Sequence, residues 1–78
     1  MKNYKPIIKV LREYKEYLEN EQSYDWKQRR YSRITGYVFG YIGAWNINSP
    51  LKDRFTVNDI GLIYGYIDRV YDKYIANK

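Results

Sequence analysis

The stretch Ile34-Thr35-Gly36-Tyr37-Val38-Phe39-Gly40-Tyr41-Ile42-Gly43-Ala44-Trp45 decides the fold, because it can be read in two ways. Its β-branched and aromatic residues favour a strand, and Ile60, Ile63, Tyr64 and Ile67 repeat that composition further on. Its apolar residues, however, recur at three and four: Tyr31, Ile34, Val38, Tyr41 and Trp45 form one helical stripe, which Ile42 widens. The same spacing runs on into charged sequence, so a helix over residues 25–45 is the preferred reading. Ser23 or Asp25 can cap it.

Two further helices follow by the same rule. Ile7, Leu11, Tyr14 and Leu18 make one stripe over residues 6–20, and Pro6 suits a first turn, where its missing N–H costs nothing. The other side of that helix carries Lys9, Arg12, Glu13, Lys15, Glu16 and Glu19, with Arg12 and Glu16 spaced to pair. A third helix, over residues 57–76, starts at Thr56-Val57-Asn58-Asp59, a capping box with Asp in place of Glu, and Phe55 can staple onto Ile60. Its stripe is Ile60, Tyr64, Ile67, Tyr71 and Tyr74, with Ile63 and Val70 beside it. Residues 46–55, with Ser49-Pro50, form the connection. The expectation is one all-α domain over residues 1–78, a three-helix bundle.

Glycine then adds a second pattern. Gly36-Tyr37-Val38-Phe39-Gly40-Tyr41-Ile42 resembles Gly61-Leu62-Ile63-Tyr64-Gly65-Tyr66-Ile67, and all 5 glycines fall inside the second and third helices. Each costs roughly 1 kcal/mol in a helix relative to alanine, so a close approach of another helix or a ligand is expected to offset them. Run antiparallel, the helices bring Gly40 to Gly61, Gly36 to Gly65, Arg33 to Asp68 and Arg29 to Asp72, each pair of numbers adding to 101. The apolar stripes fit that register too, through Val38 with Ile63, Ile34 with Ile67 and Tyr41 with Ile60. One face closes the hairpin, expected to be the glycine face. The other covers helix 1 or makes a homodimer.

Composition narrows the chemistry. The chain has 78 residues, no cysteine and no histidine. Disulfides, zinc sites and the usual nucleophile–base pairs therefore lack their residues. Asp68 and Asp72 are matched by arginines, and no phosphate-cradling glycine loop is present. No catalytic, metal or cofactor site is expected, and the protein reads as a non-enzyme. Charges break up the start of the chain, so no signal peptide is read there. The longest uncharged stretch, residues 34–51, holds Asn46, Asn48, Ser49 and Pro50 and is a poor membrane span. A cytoplasmic protein without a membrane role is the expectation.

The net charge of +5 sits in the middle third, on Lys27, Arg29, Arg30, Arg33, Lys52 and Arg54. With Tyr24, Trp26 and Tyr31 these make the expected binding surface, since aromatics and arginine anchor protein interfaces. Among the 11 tyrosines, Tyr14, Tyr17, Tyr24, Tyr37 and Tyr66 are more than a small core is expected to hold. The partner expected is a larger protein or ribonucleoprotein with an acidic surface, bound by an adaptor or inhibitor. Usage rich in Lys, Asn, Ile and Tyr fits a low-GC bacterium or a phage or mobile element, where small anti-defence inhibitors occur. The alternative is a DNA- or RNA-binding regulator that sets Lys27, Arg30 and their neighbours on phosphates and its rings on bases.

Overall fold

The computed structural model describes residues 2–76 and is all-helical, with no strand among them. Met1, Asn77 and Lys78, the ends of the expected domain, lie outside the described residues. In order come α1 (Lys5–Asn20), α2 (Tyr24–Ile47), a 3-10 turn (Leu51–Asp53), α3 (Val57–Tyr71) and a π-helical end (Asp72–Ala76). The strand reading of residues 34–45 is thereby overturned: the three-four spacing outweighs β propensity. No helix among the described residues is long and apolar enough to cross a membrane.

Each helix starts where its sequence provides a start. Pro6 occupies the first turn of α1. The Ser23 hydroxyl accepts from the Trp26 amide at the head of α2. At α3 the capping box is complete, Thr56 Oγ1 accepting from the Asp59 amide and the Asp59 carboxylate from the Thr56 amide.

Asp59 does more than cap. It also takes the Lys2 ammonium at 2.7 Å and the Tyr4 hydroxyl at 3.1 Å, which ties the chain's start to α3. The Lys2 hydrogen bond, then those from Thr56, hold its carboxyl well below the usual carboxylate range. A carboxyl lowered on folding contributes stability above its unfolded pKa of about 4 and loses it as pH falls below that. Asp59→Asn should therefore melt lower than the parent at neutral pH, with the gap closing in acid. Thermal unfolding followed by circular dichroism at both pH values checks this; a gap independent of pH would contradict it.

The core is one cluster: Ile7, Tyr14 and Leu18 from α1, Ile34, Val38 and Ile42 from α2, Ile63, Ile67 and Val70 from α3, with Phe55 and Ile75. Phe55 is the hub of a ring cluster with Tyr4, Tyr41 and Trp45, at centroid distances of 5.3, 6.1 and 6.1 Å. The α2–α3 connection is fixed around it. Asn46 donates to the Phe55 carbonyl and accepts from the Phe55 amide, while Trp45 Nε1 donates to the Asp53 carbonyl.

Helices α2 and α3 form an antiparallel hairpin in nearly the expected register. Lys27 reaches Tyr74, Tyr31 packs at a tilt against Tyr71 and Tyr64 reaches Thr35. Those numbers add to 101, 102 and 99, against the expected 101. The face that closes the hairpin is the apolar one. A Cβ built on Gly36, Gly40, Gly43 or Gly61 meets nothing within 4 Å, and on Gly65 it meets only Arg69 Nη1, at 3.5 Å. The glycine-mediated contact expected within the chain is therefore absent, because the glycines sit across each helix from Ile34, Val38 and Ile42 or from Ile63 and Ile67.

The ion pairs tied to that contact are absent as well. Asp68 accepts the Tyr31 hydroxyl at 3.3 Å, and the Arg29 guanidinium lies over the Trp26 ring. Among the described residues neither Arg33–Asp68 nor Arg29–Asp72 forms. On α1 the pair that forms is Lys15–Glu19, at 3.4 Å, and not Arg12–Glu16.

Candidate partner-binding groove

The expected binding surface separates into two places. Tyr24, Trp26, Lys27, Arg29, Arg30, Tyr31 and Arg33 lie on the first turns of α2, whereas Lys52 and Arg54 follow its last turn. A helix of 24 residues is about 36 Å long, so these groups stand at opposite ends of a body 43 Å in its longest dimension.

Several side chains of the first group also have intramolecular partners. Lys27 donates to the Tyr74 carbonyl at 3.0 Å and so satisfies an end group of the π-helical segment. Tyr31 packs on Tyr71 at 4.5 Å. Gln28 donates to both the Tyr24 and Tyr71 hydroxyls. At the other end, Arg54 donates to the Ser49 carbonyl at 2.8 Å, while Lys52 is exposed.

What remains is a stripe. Trp26, Arg30, Arg33 and Tyr37 are spaced four, three and four apart, so they run along one side of α2. That side borders α1. A cleft of about 220 Å³ opens there, with Val10, Tyr14 and Ile34 as its apolar lining and Arg30, Arg33, Glu13 and Tyr37 as its polar edge. Lys5 and Lys9 extend the lining past Tyr37, and Glu16 and Glu21 extend it past Arg30. The groove is therefore basic toward the start of α1 and acidic toward its end.

The rims suit recognition. Trp26 is 54% exposed, and Arg29 stacks over it at 4.9 Å. Arg30 lies over the Tyr17 ring at 4.0 Å, a cation–π contact that places its guanidinium beside the groove wall. Arg33 and Tyr37 are exposed. The five tyrosines that crowd a small core divide accordingly: Tyr14 is buried, Tyr17 and Tyr66 are half-buried, and Tyr24 and Tyr37 face outward.

The α1 residues of this groove, Val10, Glu13 and Lys9, were not among the sequence-derived site residues, nor was Tyr37. The spacing of Trp26, Arg30, Arg33 and Tyr37 was the available signal. Which helix they would face depends on the packing of α1, which periodicity alone does not give. Among the described residues, no group of three or more acidic side chains gathers as a metal site would require. No family model matches the chain, and no curated protein or solved structure is significantly similar to it.

Proposed function

We propose that this is a non-enzymatic binding protein whose α1/α2 groove takes an acidic segment, carrying an apolar anchor, from a larger protein. It would act by occupying that segment, as an adaptor or inhibitor does. The observation that carries this reading is the groove itself. Arg30 and Arg33, with Glu13 opposite them on α1, edge an apolar cleft that Lys5 and Lys9 extend, and Trp26 and Tyr37 are exposed on the same side of α2. Buried apolar anchors framed by arginine and aromatic residues are the usual source of affinity at protein interfaces.

Nucleic acid fits less well. Lys27 and Arg54 serve backbone carbonyls, and Lys52 and Arg54 are too far from the groove to extend one phosphate track. A continuous phosphate track along the groove would run onto Glu16 and Glu21, whereas a short acidic segment can stay within the half that holds Lys5, Lys9 and Arg33.

The test is capture of partners from nuclease-treated lysate by the parent protein and by Arg33→Glu, alongside titration of labelled single-stranded RNA and duplex DNA. A discrete protein retained by the parent and weakened by Arg33→Glu at least about thirtyfold, the size of a hot-spot loss, is expected. Nucleic acid bound with a steep salt dependence, and lost uniformly across sequences in Arg33→Glu, would replace this reading with the nucleic-acid one.

A further inference from the structure

We infer that a second copy of this chain covers the outer face of the α2/α3 hairpin, forming a two-fold dimer in which α2 of each copy lies antiparallel on α3 of the other. The groove at α1/α2 stays open in this arrangement, so the inference does not rest on the proposed function.

The face is defined by what it does not touch. On α2, Arg30, Arg33 and Tyr37 line the cleft against α1, Gln28 and Tyr31 bond to Tyr71 and Asp68, and the Thr35 carbonyl takes the Tyr64 hydroxyl. The remaining side carries Arg29, Gly36, Phe39, Gly43 and Ile47, which fall within an arc of about 80°. On α3 and the first residue of the π-helical end the corresponding side carries Val57, Gly61 and Asp72, within about 60°.

Two properties of this face call for a partner. Its half nearest the α2–α3 connection is uncharged and openly apolar: Phe39 is 75% exposed, Ile47 81% and Val57 88%. Its other half carries Arg29, exposed with its guanidinium resting over the Trp26 ring, on α2, and the exposed Asp72 where α3 passes into the π-helical end. One long side of a 43 × 17 × 16 Å body is close to the ~800 Å² per partner of a standard interface.

Charge selects the second copy as that partner. In the observed register, residues whose numbers add to about 101 stand at the same height. Arg29 is therefore level with Asp72, and Phe39 with Leu62. Turn a second copy by half a revolution about an axis parallel to the helices. Every residue keeps its height, α2 meets the other copy's α3, and Arg29 of each copy faces Asp72 of the other. The uncharged halves meet each other as well. The open glycines let the two backbones approach closely; they permit the contact and do not define it.

The experiment is sedimentation of the parent chain, of Arg29→Glu, of Asp72→Arg, and of the last two mixed in equal amounts, with circular dichroism as a check on folding. The parent is expected to be a dimer. Each single variant places like charges at both symmetric contacts and should weaken the dimer at least about tenfold. The mixture restores opposite charges at both and should sediment as a dimer again. Phe39→Glu, at an exposed position, should also give a monomer. A parent that stays monomeric at millimolar concentration, a single variant as dimeric as the parent, or a mixture that stays monomeric would each overturn the inference.

Discussion

Tyr14→Ala is expected to remove a large share of this protein's stability, about 3–5 kcal/mol. Tyr14 is 1% exposed, and its hydroxyl donates to the Ile67 carbonyl at 3.1 Å, joining the middle of α1 to the middle of α3. Truncating a buried aromatic typically costs about 3–5 kcal/mol, a large share of the roughly 4–12 kcal/mol that a chain of 78 residues has in total at about 0.05–0.15 kcal/mol per residue. Tyr14→Phe keeps the ring and loses the hydrogen bond, at about 1 kcal/mol. Urea unfolding followed by circular dichroism separates the two; a Tyr14→Ala variant as stable as Tyr14→Phe would mean that the ring is not the centre of the core. Burial also raises the Tyr14 phenol above its ordinary pKa. A raised group contributes fully below its unfolded pKa of about 10 and loses that contribution as pH rises further. The parent should therefore weaken in strong alkali more steeply than Tyr14→Phe.

How much of this was legible in the sequence depends on the range of the physics involved. Helix positions and the α2–α3 register follow from spacing and capping, which are local, so Thr56, Asp59 and the apolar stripes were placed correctly. The glycines were not. Their repeat was real, but periodicity gives a face without saying what the face meets, and the apolar stripes had the stronger claim to the hairpin. The end of α3 is a second case. An uninterrupted α-helix would carry Ile75 away from the core, whereas an i→i+5 turn brings it back over Val70, and it is 2% exposed. Nothing in the spacing of Tyr71 and Tyr74 signals that wider turn. Lys27 shows the limit for site residues: beside Trp26 it reads as a free cation, yet it closes the carbonyl end of a segment 47 positions away.

Replacing Gly36, Gly43 and Gly61 together by alanine is expected to stabilise the isolated chain by up to about 3 kcal/mol. Each change removes a helix-interior glycine worth roughly 1 kcal/mol, and none of the added methyl groups would meet an atom within 4 Å. Thermal unfolding at low protein concentration, where the chain is monomeric, measures this gain. The same methyl groups would stand between backbones in the proposed dimer, so the dissociation constant should rise while the melting temperature of the monomer rises too. These opposite signs make the test decisive. A fold built for its own stability alone would not keep three helix-breaking residues in open space, and a triple variant that gains stability without losing association would leave the glycines without a physical reason. One that loses stability even at low concentration would show that they are packed within the chain after all.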